Sequence, residues 1–294
     1  MSDHTLQATI SHLFVYPIKS CAGVALQESL LIETGLEFDR AWMVVNEQGE
    51  FLSQRELPRM VLIQPQLKQF ELVLRAPGML ALHIALDTVE QPCTVSIWGE
   101  SCPAYDMGNI AAQWFTDFLM QELPEGLQPM KLGLVRFDPE HKRLSSAKWT
   151  QGLEAWNQFS DGYPLLVISQ ASVDELNARL NAQGLASVGI ERFRPNIVLS
   201  GLKAHDEDRT PQLLLQTQEG QAELRMVKPC PRCPIPDIDP LTAMSQPEVS
   251  QMLRHYRQDA RLDGAITFGM NAIIAQGIDQ ALRVGQAAQG HLTF

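Results

Sequence analysis

Apolar and polar residues alternate over short distances in the first hundred residues, which is the pattern of half-buried β-strands. The segments that are richest in branched and aromatic residues are 10–18, 42–45, 70–74, 80–84 and 94–98. Gln48-Gly49 and Ala76-Pro77-Gly78 have the composition of hairpin turns. Because no helical pattern interrupts these strands, we predict an antiparallel sheet that closes towards a barrel.

The first helical pattern begins near Asn109, which is in position to cap it. Ile110, Trp114, Phe115 and Phe118 form an apolar face at helical spacing, so we predict that they pack in the core. The pattern restarts after residue 125, and we therefore predict two domains, residues 1–125 and residues 126–294. The polar stretch at residues 141–157 is typical of a long surface loop.

The second half of the chain mixes strands with two helices that carry start signals. Strands are predicted at residues 165–168, 196–199 and 223–227. Ser172 with Glu175, and Ser245 with Glu248, have the spacing of capping boxes at helix N-termini. The whole pattern predicts a strand-dominated α+β protein in which helices pack outside barrel-like sheets.

Composition and charge narrow the class of protein. The chain has 294 residues, and 23 Lys and Arg against 34 Asp and Glu give a formal net charge of −11, which opposes general binding to nucleic acids or anionic membranes. The start lacks the pattern of a signal peptide, and no apolar run reaches the roughly 18 residues of a membrane span. The five cysteines contain one close pair and do not form a disulfide framework. We therefore expect a soluble, cytoplasmic protein.

The segment 228–240 carries the most specific chemistry in the chain. Its sequence, Lys-Pro-Cys-Pro-Arg-Cys-Pro-Ile-Pro-Asp-Ile-Asp-Pro, places the thiols of Cys230 and Cys233 three positions apart. The neighbouring cations Lys228 and Arg232 favour the thiolate, which binds soft metals or acts as a nucleophile. The prolines disfavour a helix and a central strand, so we predict a rigid loop that holds a sulfur in place.

Three other interpretations of the cysteine pair stay open. A structural zinc site needs about four ligands, and Cys93 and Cys102 are separated too widely to form a second close pair. A redox dithiol is expected at a helix N-terminus, which Pro234 and Pro236 disfavour. The third interpretation is a pair of inert, buried cysteines in a tight turn.

Three further cations lie where predicted strands begin or end. Lys19, followed by Ser20, lies at the end of the first strand, and Arg40 and Arg194 each precede a strand. Arginine is well suited to phosphate groups and planar, oxygen-rich ligands. In an acidic protein, these cations and the rigid thiol predict a pocket for an anionic cofactor that brings a metal.

With these residues the chain resembles the MOSC family, and in particular its amidoxime-reducing members, which carry a MOSC N-terminal β-barrel region. The matching segments occur in family order: residues 15–23, 39–40, 53–55, 160–161 and 193–198, the cysteine loop, and residues 268–271. The resemblance implies a MOSC β-barrel of the pyruvate-kinase-like type, with an N-terminal β-barrel subdomain and peripheral helices.

The resemblance also implies a molybdenum cofactor, in which a pyranopterin dithiolene holds the metal and Cys233 is the protein ligand. Cys230 matches a family cysteine that does not bind the metal. Asp237 and Asp239, close to the loop, are candidates for catalytic proton handling or, alternatively, turn formers. The residues implied to bind the cofactor are Lys19, Ser20, Arg40, Tyr163, Arg194, Asn196, Arg232 and Asn271. Pro231 departs from relatives that often carry a small hydroxyl residue between the two cysteines, and Gly162 and Tyr163 stand where the eukaryotic member of the family has hydroxyl residues.

The implied activity is the reduction of hydroxylamines, amidoximes and N-hydroxylated bases, with a role in detoxification and a family-level association with pyridoxal phosphate. Because the chain has too few spare cysteines for an iron–sulfur cluster, we expect electrons from a separate ferredoxin or flavoprotein. Two alternatives stay open. One is a sulfur carrier or cofactor sulfurase with a persulfide on Cys233, and the other is a non-catalytic module that binds the cofactor.

Overall fold

The computed structural model describes residues 5–89 and 91–293, and strands dominate this part of the chain. The strands of the first half are β1 (Thr5–Val15), β2 (Val24–Leu26), β3 (Glu28–Ile32), β4 (Gly35–Leu36), β5 (Trp42–Asn46), β6 (Gln64–Leu67), β7 (Glu71–Arg75), β8 (Leu82–Ala85), β9 (Gln91–Ile97), β10 (Glu100–Asp106) and β11 (Leu132–Phe137). Those of the second half are β12 (Leu165–Ser169), β13 (Ile197–Ser200), β14 (Gln212–Gln216), β15 (Gln221–Pro231), β16 (Gln258–Asp259), β17 (Ala265–Gln276), β18 (Ala281–Arg283) and β19 (Ala287–His291). The α-helices are α1 (Gly108–Leu119), α2 (Ala147–Thr150), α3 (Gln170–Ala182) and α4 (Glu248–Arg254).

Seven strands close into a barrel in the order β12-β13-β1-β19-β14-β15-β17, and β17 pairs back onto β12. Neighbours are antiparallel except for β12 and β13. Their inward-facing side chains, including Ile10, Val167 and Leu224, form one buried core. The strand-dominated barrel fold is thus confirmed, and each predicted strand falls on an observed one.

The burial pattern of β1 changes phase in the middle of the strand. Leu6 and Ile10 face the core at even positions, whereas Leu13 and Val15 do so at odd positions. A β-bulge between Ile10 and His12 causes the change, because one extra residue moves the side chains that follow to the opposite face. The strand therefore stays in the barrel along its whole length and ends beside the cleft described below.

The N-terminal part builds a second core between two antiparallel sheets, β5-β11-β10-β9 and β6-β7-β8, and helix α1. Trp114, Phe115 and Phe118 of α1 are buried there, as predicted. Ile110 is 79% exposed, so its assignment to the core is wrong. On the outside of the barrel, α3 and α4 pack over a third apolar cluster that includes Phe193 and Phe268.

The three predicted helix caps are wrong. Asn109 lies inside the first turn of α1, which begins at Gly108. The hydroxyl of Ser172 lies inside α3 and donates to Glu207 instead of capping, and Pro247 rather than Ser245 precedes α4. No helix in the described part of the chain combines the length and the apolar character that crossing a membrane requires.

Strand pairing crosses the predicted domain boundary in both directions. From the first half, β1 lies between β13 and β19 of the barrel, and β3 pairs with β18. From the second half, β11 lies between β5 and β10. The domain boundary between residues 125 and 126 thus stays a prediction. The sheets themselves contain strands from both sides of it.

Gly269 lies in β17 where that strand passes close to β12. Its φ is +77°, and an added Cβ would lie 2.5 Å from Ile168 Cγ1 and 3.0 Å from the Val167 carbonyl oxygen. Gly78 has a similar φ of +74° but no atom within 4 Å of an added Cβ, so its replacement introduces backbone strain alone. We predict that Gly269→Ala lowers the free energy of unfolding by about 2 kcal/mol more than Gly78→Ala. Urea denaturation of both variants measures the difference, and equal losses would contradict the close packing.

Glu207 is a buried carboxyl group beside the start of α3. Its Oε1 accepts hydrogen bonds from the Ser169 N–H (3.1 Å) and from Ser172 Oγ (2.7 Å). Burial raises the pKa of Glu207 from 4.5 to about 7. The folded protein therefore holds a proton between these pH values that the unfolded chain releases, so the free energy of unfolding falls as the pH rises through this window.

We predict that Glu207→Gln removes this fall, which is on the order of 2–3 kcal/mol for such a pKa shift. Urea denaturation at several pH values between 4.5 and 7.5 tests the prediction, with the exposed Glu219→Gln as the control. Burial lowers the pKa of His205 to about 4, which gives a slope of opposite sign in every variant. The comparison is therefore between variants, and identical slopes for Glu207→Gln and the wild type would contradict the prediction.

Candidate functional site

A cleft of about 780 Å³, including space open to solvent, lies where β1 ends, β13 begins and β15 ends. Its lining brings together all the predicted cofactor contacts and the predicted metal ligand: Lys19, Ser20, Arg40, Tyr163, Arg194, Asn196, Arg232, Asn271 and Cys233. Their roles stay predictions, but the expectation that distant cations share one pocket with the thiol is met by the geometry.

The segment after β1 joins the barrel to the first sheet and positions two of these cations. Ile18 forms a parallel bridge with Trp42 at the start of β5. The N–H of Lys19 donates to the Trp42 carbonyl and the N–H of Arg40 donates to the Tyr16 carbonyl, both at 2.8 Å. These backbone bonds bring Lys19 and Arg40 into the cleft together.

Two guanidinium groups pack on the ring of the buried Tyr16. Arg40 Cζ lies 4.3 Å and Arg194 Cζ lies 4.2 Å from the ring centroid, within cation–π range. Arg40 also pairs with the carboxylate of Asp39 at 2.6 Å. Burial, and then the charge of Arg40, lower the pKa of Arg194 to about 10, so Arg194 stays charged at neutral pH.

Arg194 keeps one donor unused. Its Nη1 donates to the Cys21 carbonyl at 2.7 Å, whereas the buried Nη2 has no hydrogen-bond partner among the described residues. A buried polar group in this state is costly. An anion in the cleft would both accept this hydrogen bond and relieve the repulsion between Arg194 and Arg40.

Asn196 holds Arg40 in place. Its Oδ1 accepts from the Leu166 N–H at 3.1 Å and from Arg40 Nη1 at 3.2 Å, and its Nδ2 donates to the Phe14 carbonyl at 3.2 Å. The side chain is thus engaged by β1, β12 and an arginine. Asn196 therefore lines the cleft and also holds the side chain of Arg40 in position.

The cysteine segment is only partly a loop. β15 continues to Pro231, so the prediction of a loop is wrong for the first residues of the segment, although Pro229 and Pro231 pair with β17 alone. The register of β15 against β17 shifts between Met226 and Lys228 and again between the two prolines. Such bulges interrupt the regular ladder, so the missing proline N–H groups are tolerated.

The two cysteines of this segment differ in their surroundings. Cys230 Sγ accepts a hydrogen bond from Arg232 Nη1 at 3.2 Å, and Arg232 Nη2 donates to the Phe193 carbonyl at 2.9 Å. The buried Arg232 Nε has no partner within the described residues. Cys233 is a partly buried, free thiol in the cleft lining. Within residues 5–89 and 91–293, no group of three or more His, Cys, Asp and Glu side chains is arranged to hold a metal ion.

Asp237 and Asp239 do not belong to the cleft lining. Asp237 Oδ1 accepts from the Ser250 N–H at 2.8 Å, at the start of α4. Asp239 Oδ1 accepts from the Leu241 N–H at 2.8 Å, and its Oδ2 pairs with Arg192 at 2.8 Å. Asp239 thus has the turn-forming role that the sequence offered as the alternative, whereas Asp237 is bonded to the first turn of α4. A catalytic role for either carboxylate stays a prediction.

Asp161 has no role in the sequence prediction beyond its match to a motif, yet it is the acidic centre of the cleft. It pairs with the buried Lys19 Nζ at 2.5 Å although its side chain is 63% exposed. Partial desolvation favours its neutral form, but the charges of Lys19, Arg55 and Arg40 outweigh this and hold the pKa of Asp161 below its usual range. Desolvation lowers the pKa of Lys19, while Asp161 opposes this effect.

The segment 141–157 is not simply a surface loop, because Arg143 fastens it to the cleft. The buried Arg143 Nη1 donates to Asn157 Oδ1 (2.5 Å) and to the Ser160 carbonyl (2.7 Å), and its Nε pairs with Glu100 (3.0 Å). These bonds position Ser160 and Asp161. A buried arginine in a polar stretch has no distinctive sequence pattern, so residue composition alone does not reveal it.

The chain is similar to known families and proteins. Residues 7–122 match the MOSC N-terminal beta barrel domain, and residues 154–289 match the MOSC domain. The chain is 35% identical to mitochondrial amidoxime reducing component 2 of Rattus norvegicus and 34% identical to mitochondrial amidoxime-reducing component 1 of Homo sapiens, with 85% of this chain and 72% of each relative aligned. It is 30% identical to molybdenum cofactor sulfurase of Bos taurus, of which it covers 29%.

We predict that inorganic pyrophosphate raises the Tm of protein that has been stripped of bound small molecules, because the anion pairs with Arg194 and Arg40. At a concentration about 100 times its Kd, such a ligand adds roughly 2.7 kcal/mol to the free energy of unfolding. Arg194→Met should remove most of the increase. Arg225→Met, which changes an exposed arginine paired with Glu223, should keep it. Equal increases in the two variants would show that the anion binds elsewhere.

Proposed function

The chain belongs to the MOSC family, and from this premise we propose that it binds a molybdenum cofactor and reduces N-hydroxylated compounds with it. The observation that carries the proposal is that Cys233 lines the same cleft as Arg40, Arg194 and Arg232. A single soft ligand surrounded by fixed cations suits a metal that arrives on an anionic organic carrier.

The residues of the cleft fit such a carrier. Arg194 Nη2 and Arg232 Nε are buried donors without a hydrogen-bond partner in the described part of the chain. Phosphate and pterin oxygens would supply acceptors for both. The thiol of Cys233 would supply one sulfur ligand to the metal.

The proposed reaction takes up two electrons and two protons, breaks the N–O bond of R–NHOH, and yields R–NH₂ and water. The bound cofactor supplies the two-electron oxygen-transfer chemistry. Arg40, Arg194 and Arg232 would orient it by its negative groups, and Asn196 would keep Arg40 in position. Lys19 Nζ pairs with Asp161 in the cleft, which makes Lys19 a candidate to hold or deliver a proton during N–O cleavage.

Electrons would come from a separate protein, which we propose to be a ferredoxin or a flavoprotein. The described cysteines are free, and Cys230 and Cys233 are the two that line the cleft. We further propose that the protein acts in the cytoplasm. Turnover of a hydroxylamine by the purified protein with a bare nicotinamide nucleotide would contradict the need for a partner.

The relatives favour reduction but also support a second candidate. Both amidoxime-reducing relatives align over most of their length, whereas the sulfurase aligns over less than a third of its own. The sulfurase likeness supports a sulfur carrier in which Cys233 holds a persulfide. That function predicts sulfane sulfur on the protein and no stoichiometric molybdenum, so elemental analysis distinguishes the two.

We predict that Cys233→Ser lowers the rate of reduction of N-hydroxylated substrates by a factor of about 100 or more. A serine oxygen binds the metal weakly or not at all, so the reactive centre is lost. The fold should be unchanged, since the side chain is only partly buried. Activity with a chemical reductant, molybdenum content and Tm are measured on protein from a host that makes the cofactor.

Cys230→Ser is the matched control from the same segment. A serine oxygen can still accept the hydrogen bond from Arg232, so this variant should keep most of its activity. Equal activity in the wild type and Cys233→Ser would refute the proposed function. Bound sulfane sulfur that is lost in Cys233→Ser, in protein without molybdenum, would favour the sulfur carrier.

A further inference from the structure

Trp98 occupies a backbone conformation that is unfavourable for a large side chain. Trp98 and Gly99 form the two-residue turn between β9 and β10, where Ile97 pairs with Glu100. Their φ angles are +53° and +78°. Turns of this type strongly prefer asparagine, aspartate or glycine, and a bulky residue at positive φ costs about 1–2 kcal/mol.

The turn places the indole at the rim of the cleft. Trp98 Nε1 donates to Asp161 Oδ1 at 3.3 Å, and Arg55 Cζ lies 4.8 Å from the indole centroid. Asp161 and Arg55 both belong to the cleft lining. The ring of Phe51 meets the indole edge-on at 4.8 Å, so two aromatic rings lie together beside Asp161.

Despite these contacts, the side chain is not part of a buried core. Trp98 is 51% exposed, so most of the stabilisation that a buried indole provides is missing. Strain and exposure together at one position beside a binding cleft indicate a role in binding rather than in packing. A half-exposed indole next to the carboxylate of Asp161 suits a flat ligand whose nitrogen-rich end donates hydrogen bonds.

We infer that Trp98 is a specificity-determining residue that selects substrates with a planar aromatic group over aliphatic ones. The aromatic group would stack on the indole while the N-hydroxylated amidine group lies towards Asp161. The inference rests on the proposed function for its substrate class. A preference for aromatic ligands at the rim of the cleft can be measured as a difference in Kd, without turnover.

Binding of benzamidoxime and acetamidoxime to the cofactor-loaded protein tests the inference. These probes share the reactive group and differ in a phenyl against a methyl substituent. Calorimetry should show tighter binding of benzamidoxime to the wild type. Trp98→Asn should raise its Kd about tenfold, the loss expected for one aromatic stack, and change the Kd of acetamidoxime less than twofold. Trp98→Phe should restore most of the difference.

Stability separates recognition from a structural role. Because asparagine favours this turn conformation, Trp98→Asn should keep or raise the Tm. The control Phe70→Asn removes an aromatic side chain that is 73% exposed and outside the cleft lining, and should leave both Kd values unchanged. In steady-state assays, Trp98→Asn should raise the KM for benzamidoxime and leave kcat unchanged.

Three results would overturn the inference: a wild type that does not prefer benzamidoxime, a Trp98→Asn variant with the wild-type preference, or a lower Tm with weaker binding of both probes. Failure of the proposed function has a different signature. In that case the wild type reduces neither amidoxime with any reductant, while the binding comparison still decides the role of Trp98.

Discussion

The cleft depends on keeping two positive charges close together away from bulk water. Arg40 and Arg194 achieve this by sharing the ring of Tyr16, whose π face offsets part of the repulsion and whose position is set by the end of β1. Asp39 and Asn196 fix the first arginine, and the Cys21 carbonyl fixes the second. Since Gly23 leaves only 2.6 Å between an added Cβ and the tyrosine ring, the surrounding backbone is fitted to this stack as well.

This arrangement also explains how an acidic protein provides an anion site. The formal net charge of −11 opposes anion binding in general, so attraction has to be local and only weakly screened. Partial burial meets this condition, because charges in a less polar environment interact more strongly than exposed ones. Asp161 supplies a negative charge in the same cleft and pairs with Lys19, so it offsets part of the positive charge there.

Local patterns in the sequence predicted the strands well, because alternating burial depends on near neighbours. They also placed Arg40 and Arg194 at strand ends, and the structure brings both to one cleft. The helix caps were not predictable, since the hydroxyl of Ser172 is taken by Glu207, 35 positions away. For the same reason, neither the anchoring role of Arg143 nor the proximity of Trp98 to Asp161 has a local signal. Both depend on contacts between segments that only the folded chain brings together.

Because of the position of β1, the barrel cannot be separated from the first half of the chain without losing a strand. The strand comes from the extreme start of the chain, yet it fills the gap between β13 and β19. A fragment that comprises only the second half would therefore lack one strand of the barrel. The edges of β13 and β19 would then carry unpaired backbone N–H and C=O groups, with which a strand of another molecule could pair. Cutting the chain between the two halves would expose these strand edges. The covalent link between β1 and the rest of the barrel thus keeps these edges paired and protects the protein from self-association.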